Sequence, residues 1–517
     1  MKKIFHFITS RLGTLILLVA FEILWIAVLG MWLHRYAWLL EIFLKIAAGV
    51  LVVIINGTSQ HLSCDAMWIV IILLFPVAGT AVYIILDILE RFQNGSFKSV
   101  ICETKKASSY YVQDPAVREE IRRRAPELQG QISYIADAAG FPVCRNRGFD
   151  YYRLGEDAWP VMLKELKGAK RFIFIEYFII EKGKMWDSIL EILREKTAAG
   201  VECRVLYDDL GSINAVPIHY ADELEKMGIR AQAFNKVNPI INGIMKHRDH
   251  CKILVVDGRT AFTGGINLSD QYVNLTHPHG VWKDNCARIT GEAVRSMTIQ
   301  FLTMWNAVRH EDEDYGKYLV SPAGKRGGEA SPRPVSDGWI APYFDTPFDR
   351  DLTGENIFLN ILNQARQYCY IFAPYLILDN TIQNAIMLAA QRGVDVRLLT
   401  PGKPDKIIVW NTSRTYFSPL LKKGVRIYSY TPGFIHEKTI VCDDRVAVVG
   451  TQNLDYRSLY LHFENGVCLF RSEKIPEIRK DFEDTIALSH EVTLEEMKKY
   501  PVLTFFFWIV RIFAPLM

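Results

Sequence analysis

The first hundred residues carry three stretches in which nearly every position is apolar, at 12–32, 38–55 and 67–86. The third stretch is free of charge and has about the 20 residues that a membrane-spanning helix needs. The first contains Glu22, and in the second Glu41 and Lys45 leave only 46–55 uncharged, which is short for an independent span. The pattern therefore predicts that the third stretch crosses a membrane and that the second does not do so by itself.

Positive charge flanks this region on both sides. Lys2, Lys3 and Arg11 lie at its start, and a basic segment at 91–106 follows it. Because positive flanks favour the cytoplasmic side, three full spans cannot satisfy both ends. We therefore expect an uncleaved, multi-pass anchor in the cell membrane, a hairpin of the first and third stretches with the second stretch interfacial or re-entrant. This arrangement would leave the bulk of the chain in the cytoplasm.

The charges inside the apolar stretches need partners. Glu41 and Lys45 are four residues apart, so they would form an ion pair on one helix face. Glu22 is a second possible partner for Lys45 inside a helix bundle. Snorkelling of these side chains to the interface is an equally open alternative.

From about residue 150 short apolar runs alternate with amphipathic stretches, a pattern typical of α/β proteins. Apolar runs at 171–180 and 200–209 have counterparts at 368–378 and 393–402. Self-similarity with a period of roughly 190 residues indicates a duplicated domain rather than a solenoid of small repeats. We therefore predict an α/β fold made of two similar halves.

These patterns divide the chain into regions. The segment between the halves is rich in charge, Gly, Pro and Ser, which is typical of a linker. The last segment is apolar but too short to span a bilayer, so it is either an interfacial element or a terminal core helix. We expect a membrane anchor at 1–90, a connecting region at 91–149, a first half at 150–310, a linker at 311–338, a second half at 339–500 and an interfacial segment at 501–517.

Composition excludes some classes of protein. The net charge of the 517 residues is +3, which gives no case for a dedicated nucleic-acid binder. The nine cysteines are scattered and include no Cys-x-x-Cys pair, so neither a disulfide framework nor a zinc site is expected.

One motif, His-x-Lys-x4-Asp, occurs at matching places in the two halves. In each copy an Asn follows the Asp by ten residues, so an accidental match is not a reasonable explanation. Residues two apart on a strand share a face, which places His and Lys side by side, whereas the Asp ends the strand and supports a turn. The first copy comprises His250, Lys252, Asp257 and Asn267, and the second comprises His436, Lys438, Asp443 and Asn453.

Two imidazoles, two ammonium groups and two carboxamides around one point suit a phosphodiester. The ammonium and amide groups would stabilise charge on the non-bridging oxygens. One imidazole would attack phosphorus to form a phosphohistidine, and the other would protonate the departing alkoxide. The lysine between the His and the Asp of each motif would repel a bound cation, so no metal or other cofactor is expected.

The paired motifs resemble those of the phospholipase D superfamily. Within it, the apolar N-terminus, Glu176-Tyr177-Phe178, the segment 453–464 and the aromatic C-terminus are similar to cardiolipin synthases. The resemblance implies two α/β sandwich halves around one active site, and the joining of two phosphatidylglycerol molecules into cardiolipin with release of glycerol. It also implies that the first-motif histidine, His250, is the nucleophile and that His436 is the general acid. Phosphatidylglycerol and cardiolipin would be its membrane partners, with no nucleic acid.

Other residues have two open interpretations. Asp284 and Glu464 are placed to fix the tautomer of a catalytic imidazole, or are ordinary charges. Glu176, flanked by apolar residues, belongs to a structural salt bridge or to the active site. His247 lies beside the first motif, and a solvated loop is its expected environment. Core packing is favoured over a lipid groove for Trp186, Trp282 and Trp339.

Rival functions remain at this point. A non-catalytic scaffold does not fit two intact motifs, and the predicted anchor and modest charge disfavour a nuclease. A hydrolase that passes the phosphatidyl group to water, and a synthase that uses another alcohol such as serine, both remain open. The sequence does not indicate the oligomeric state.

Overall fold

The computed structural model describes seven segments of the chain, which are 11–32, 37–58, 62–236, 247–319, 338–348, 351–499 and 501–517. These residues form two compact units. The first contains the described residues up to Lys98 together with Ile509–Leu516, and the second contains Ser99–Lys236, the described residues from His247 to Trp508, and Met517. Most of the predicted linker, at 320–337, lies outside the described residues.

The first unit is helical. One helix of the described residues has a segment long and apolar enough to cross a membrane, Glu41–Thr58, of which 11% is buried. This corrects the prediction from the sequence, because the candidate lies in the second stretch and the third is interrupted at Phe75. Pro76 lacks a backbone N–H and restricts the residue before it, so the helix ends there and a new one begins. Its helices are α1 Arg11–Trp32, α2 Ala37–Thr58, α3 Leu62–Leu74 and α4 Pro76–Ser96.

Polar groups in these helices have local partners. Lys45 Nζ lies 2.5 Å from Glu41 Oε1, which confirms the ion pair predicted from their spacing. Glu22 accepts a hydrogen bond from the backbone N–H of Ala78 at 3.3 Å instead of pairing with Lys45. A small apolar cluster packs beside these groups and contains Leu18, Met67, Ile71, Ala78 and Phe513.

The second unit contains all the described strands. Its helices are α5 Lys98–Ala107, α6 Pro115–Arg124, α7 Gln129–Ser133, α8 Gly155–Gly168, α9 Lys184–Ala198, α10 Tyr220–Lys226, α11 Val294–Arg309, α12 Thr353–Gln364, α13 Asn380–Gln391, α14 Ile407–Arg414, α15 Phe417–Leu421, α16 Tyr456–Tyr460, α17 Ile475–Ile486 and α18 Leu494–Met497. Helix α19, Pro501–Arg511, begins in this unit and ends in the first. Its 11 residues are too few to span a bilayer, and Phe507 is its one buried side chain in the described part of the helix.

Two large sheets organise this unit. The strands of the first half are β2 Phe149–Tyr152, β3 Phe172–Tyr177, β4 Glu202–Asp208, β5 Arg230–Phe234, β6 Arg248–Asp249, β7 Lys252–Val256, β8 Thr260–Gly264, β9 Val281–Lys283 and β10 Cys286–Thr290, preceded by β1 Cys144–Arg145. The strands of the second half are β11 Trp339–Asp345, β12 Tyr368–Phe372, β13 Asp395–Pro401, β14 Arg426–Tyr430, β15 Gly433–Ile435, β16 Thr439–Cys442, β17 Val446–Gly450, β18 His462–Phe470 and β19 Ser489–Glu491.

Strand order shows the duplication directly. The first sheet runs β2-β10-β8-β7-β3-β4-β5, and the second contains the corresponding run β11-β18-β17-β16-β12-β13-β14. In both, three strands are parallel and the motif strand is antiparallel to the first of them. Every residue of β3, β7 and β16 is buried, as expected for strands covered on both faces. The α/β class and the repeat predicted from the sequence are confirmed.

Strand pairs also join the two halves within this unit. Strand β6 of the first half pairs in parallel with β18 of the second, and β9 of the first half pairs with β15 of the second. Each pairing lies directly before a motif histidine, so the same contacts that join the halves position the candidate site.

Candidate active site

The first motif begins where the two halves meet. The backbone N–H of His250 donates to the carbonyl oxygen of Phe463 at 2.9 Å. The Lys252 ammonium donates to the carbonyl oxygen of His250 at 2.7 Å, and Lys252 N–H donates to Asn465 Oδ1 at 3.1 Å. The motif backbone is therefore fixed by the opposite half.

The second motif repeats this arrangement. The backbone N–H of His436 donates to the carbonyl oxygen of Lys283 at 2.8 Å. The Lys438 ammonium donates to the carbonyl oxygen of His436. Each half thus presents a buried His and a buried Lys beside a strand of the other half, β18 for the first motif and β9 for the second.

Each imidazole contacts a carboxylate from the opposite half. His250 Nδ1 lies 2.9 Å from Glu464 Oε2, and His436 Nδ1 lies 2.7 Å from Asp284 Oδ2. Such a contact fixes the tautomer and leaves Nε2 of each ring for chemistry. Both carboxylates were singled out from spacing alone, and the structure places each where an orienting group has to be.

Neighbouring groups hold these carboxylates still. Glu464 Oε1 accepts from the Ser458 hydroxyl at 2.7 Å, and Asp284 Oδ1 accepts from the backbone N–H of Asn285 at 2.9 Å. Gly265 makes room for Asp284, because a Cβ there would lie 1.8 Å from Asp284 Oδ1. The glycine after the first motif is therefore required by the carboxylate.

The site concentrates positive charge in a buried space. Burial lowers the pKa of Lys252 to about 8. Burial, with the charge of Lys252 added, lowers the pKa of Lys438 to about 7 against the opposing effect of Asp284. Burial and the lysine of its own motif also lower the pKa of each histidine, that of His250 well below its usual value and that of His436 to about 4. These groups would all regain protons more readily beside an anion.

The two orienting carboxyls differ in charge. Burial would raise the pKa of Asp284, but His436 and Lys438 outweigh it and hold the pKa below its usual range. Burial raises the pKa of Glu464 well above its usual range, although Lys252 opposes this. Asp284 therefore partly opposes the lowering of the His436 pKa, and the His250 side favours a neutral imidazole.

Lys438 has two competing contacts. Its Nζ lies 2.8 Å from His436 Nδ1, the same nitrogen that faces Asp284. One ring nitrogen has either a hydrogen or a lone pair, so only one of the two contacts is a hydrogen bond at a time. A phosphate oxygen that drew the ammonium away would leave Nδ1–H for Asp284.

The motif aspartates do not join this cluster. Asp257 accepts from the backbone N–H groups of Lys170, Arg171 and Phe172 at 2.7–2.9 Å. Five residues of extended strand separate it from Lys252, or roughly 16 Å. Its three hydrogen bonds fix the backbone at the start of β3. Asp257 therefore has a structural role, and its prediction as a catalytic residue is corrected.

Asp443 is equivalent in the second half. It accepts from the backbone N–H groups of Arg366, Gln367 and Tyr368, each at 2.8 Å. Asp443 therefore also has a structural role instead of the catalytic role predicted for it, because its carboxylate accepts three backbone hydrogen bonds at the start of β12.

The motif asparagines are both buried. Asn267 Oδ1 accepts from the backbone N–H of Ile179 at 3.1 Å. Asn453 Oδ1 has no hydrogen-bond partner among the described residues. This carbonyl oxygen is available to accept a hydrogen bond from a substrate hydroxyl.

Glu176 lies behind the first motif rather than in a salt bridge. Its side chain is fully buried beside Asp249, and the effect of Asp249 adds to burial in raising the Glu176 pKa well above its usual value. Burial raises the pKa of Asp249 to about 7. Ligand atoms of the two carboxyls lie within 4.8 Å of each other, so charge on one raises the free energy of charge on the other.

Three further expectations meet the structure differently. His247 is buried, with Nδ1 2.9 Å from the carbonyl oxygen of Leu461, so the prediction of a solvated loop was wrong. Trp186 and Trp339 are buried in the core as favoured. Trp282 is buried in the core as well, and its ring also lies 5.3 Å from the His436 ring.

Sequence reasoning missed His462. Its ring centroid lies 5.8 Å from that of His250, and its Nε2 accepts from Arg457 Nε at 3.2 Å. Its spacing from Glu464 could have revealed it, because residues two apart on a strand share a face and Glu464 follows His462 by two.

His250, His462 and Glu464 have ligand atoms within 4.8 Å of one another, a spacing that suits a metal ion, as do Glu176, Asp249 and Cys251. In the first set His250 Nδ1 already contacts Glu464, and the Lys252 ammonium would repel a cation. The chemistry of these residues fits an anion better than a metal.

Comparisons with known proteins agree with this arrangement. The family model described as "Cardiolipin synthase, PLD-like domain" matches residues 162–305 and 358–486. An uncharacterized protein of Streptococcus mutans is 38% identical over 91% of this chain and 100% of its own length. Cardiolipin synthase 1 of Staphylococcus aureus (strain COL) is 34% identical over 71% of this chain and 73% of its own. The crystal structure of phosphatidylserine synthase from Haemophilus influenzae is similar in fold, with a TM-score of 0.57, 13% identity, and coverage of 75% of this chain and 98% of that one.

Proposed function

Because the chain belongs to the family of cardiolipin synthases with PLD-like domains, we propose that it transfers a phosphatidyl group from one phosphatidylglycerol to another, giving cardiolipin and glycerol. The observation that carries the proposal is the reciprocal pair of imidazoles. Each has a carboxyl partner from the other half on Nδ1 and a buried lysine beside it. Two oriented imidazoles and two cations match the needs of a two-step phosphoryl transfer.

In the first step His250 Nε2 attacks the phosphorus of phosphatidylglycerol. A P–N bond forms, the P–O bond to the glycerol headgroup breaks, and the departing alkoxide takes a proton from His436 Nε2. Lys252 and Lys438 stabilise the charge on the non-bridging oxygens. The products of this step are glycerol and a phosphohistidine.

In the second step a hydroxyl of another phosphatidylglycerol loses its proton to His436 Nε2 and attacks phosphorus. The P–N bond breaks and the electron pair returns to His250. The enzyme ends in its starting protonation state, and one imidazole has served as acid and then as base.

The difference between the two carboxyls favours this assignment of roles. A nucleophile has to be neutral, and the pKa of His250 is held well below its usual value by burial and Lys252. A general acid has to hold a proton, and the Asp284 carboxylate, whose pKa stays low, opposes the burial and the Lys438 charge that lower the pKa of His436 to about 4. Acid-quenched turnover with labelled lipid and peptide mapping tests the assignment, and an adduct on His436 alone would reverse it.

Transfer to a lipid rather than to water has support in the lining of the site. Tyr272, Trp282 and Phe434 lie around the His436 ring with centroids 5.3, 5.3 and 6.1 Å away. An apolar lining disfavours water, and a bilayer offers lipid hydroxyls at high effective concentration. The helix that contains Glu41–Thr58 would supply the membrane anchor in this proposal.

The decisive experiment is product analysis by mass spectrometry of the purified chain in phosphatidylglycerol vesicles. We expect mainly cardiolipin and glycerol with phosphatidic acid as a minor product, and added glycerol should drive the reaction backwards. His250→Ala and His436→Ala should each abolish turnover. Phosphatidic acid as the dominant product at every lipid density would make the protein a hydrolase, and preferential use of added serine would make it a synthase for another alcohol.

A further inference from the structure

Exposed apolar side chains gather on one rim of the second unit. Ile407 and Ile408, at the start of α14, are 69% and 60% exposed, and Leu275 and Val281 are 41% and 40% exposed. Two exposed lysines, Lys403 and Lys406, lie directly before α14. We call these six residues the rim.

The two segments of the rim are held together although they come from different halves. His279 Nδ1 lies 3.0 Å from the carbonyl oxygen of Pro404. The backbone N–H of Lys403 donates to the carbonyl oxygen of Gly433 at 3.1 Å, and Gly433 in turn pairs with Val281 of the first half. Gly280, with φ of +79°, fits below Lys403, since a Cβ there would be 2.9 Å from the Lys403 ammonium. The rim is therefore a fixed surface beside the β9–β15 pair.

Ring contacts connect the rim to the catalytic centre. The Lys406 ammonium lies 5.2 Å from the centre of the Tyr375 ring, and the Asp405 carboxylate accepts from the Tyr375 hydroxyl. Tyr375 lies 6.1 Å from Phe434, which lies 6.1 Å from His436. Packed aromatic rings thus connect Lys406 of the rim to the proposed general acid.

We propose that the rim docks onto the surface of an anionic lipid bilayer and so holds the phosphoryl-transfer site beside the lipid headgroups. Exposed isoleucines beside lysines match a bilayer interface, where apolar side chains enter the acyl boundary and ammonium groups meet anionic headgroups. The rim lies beside the β9–β15 pair, and β15 ends directly before His436, so docking there would bring the site close to the lipid headgroups. This inference rests on the proposed function and names the surface that holds its site beside the membrane.

The test compares two presentations of one substrate. The full chain is assayed with long-chain phosphatidylglycerol in vesicles, and with dihexanoyl phosphatidylglycerol below its micelle concentration. The double variant Ile407→Ser/Ile408→Ser should lose about tenfold in rate on vesicles, since two apolar contacts with the bilayer are removed. On the monomeric lipid its rate should stay within about twofold of the wild type.

Leu388→Ser/Met227→Ser is the matched control, because both side chains are exposed and lie outside the rim. It should change neither rate. Equal loss by the rim variant on both presentations, or no loss on vesicles, would overturn the docking proposal. Absence of cardiolipin from the wild type on both presentations would instead overturn the proposed function, so the two failures are distinguishable.

Discussion

Each half supplies the carboxyl group that contacts the histidine of the other half, an arrangement that we call the exchange of carboxylates. Replacing Asp284 by Asn tests its importance for activity. Asp284 is fully buried, and its Oδ2 lies 2.7 Å from His436 Nδ1. Asn keeps the shape and one acceptor but loses the charge. A hydrogen bond to a charged group contributes about 1.5–3 kcal/mol, which corresponds to roughly 10- to 100-fold in rate.

The same substitution should move the pH dependence. Burial and Lys438 lower the pKa of His436 to about 4, and Asp284 opposes them. Without that charge the pKa falls further, so less imidazolium is available to protonate the leaving alkoxide. The rate should therefore drop most at neutral and alkaline pH, and the optimum should move to lower pH.

The assay is the initial rate of cardiolipin formation in phosphatidylglycerol vesicles as a function of pH. Asp345→Asn is a suitable control, because Asp345 is also buried but accepts from the backbone N–H of Gly354 instead of an imidazole. Burial already raises the pKa of Asp345 to about 7, so loss of its charge should change the rate by less than about threefold. An Asp284→Asn enzyme with the wild-type rate at every pH would refute the reasoning.

Three further predictions follow from the site. Asp257→Asn or Asp443→Asn should lower the free energy of unfolding by about 1–3 kcal/mol, because the hydrogen bonds to three backbone amides become weaker. Thermal denaturation would measure this loss, and active-site titration should show that turnover per folded molecule is retained. An anionic substrate binds best to protonated Lys252 and Lys438, with pKa values of about 8 and 7, so KM should be lowest below pH 7 and rise above pH 8 in a pH series. EDTA should leave activity unchanged, and restoration of a lost activity by one divalent ion would contradict the role given to the lysines.

The sequence predicts the duplicated architecture and the cluster of His and Lys residues because both depend on local periodicity. Alternation along a strand is enough to place His250 beside Lys252, and the repeat places the second pair. Spacing also identified Asp284 and Glu464. It could not show that each serves the histidine of the other half, because that depends on pairing between strands about 200 residues apart.

The errors have physical causes too. Hydropathy treats Pro76 as one more apolar residue, but its missing N–H divides the third stretch into two helices. Asp257 and Asp443 belong to a motif with catalytic members, but strand length carries them away from the imidazoles. His247 contacts the carbonyl oxygen of Leu461, 214 residues further along the chain, and a local sequence pattern cannot predict such a contact.

The exchange of carboxylates has a consequence for biosynthesis. While the ribosome is still making the first half, His250 has neither Glu464 to orient it nor His436 to supply a proton. In the proposed mechanism, a nascent or prematurely terminated chain therefore cannot carry out the phosphoryl transfer. The chemistry is switched on only when β18 has been synthesised and has paired with β6, late in translation. Because each half needs a carboxyl group from the other, activity in this mechanism begins only when both halves have been synthesised.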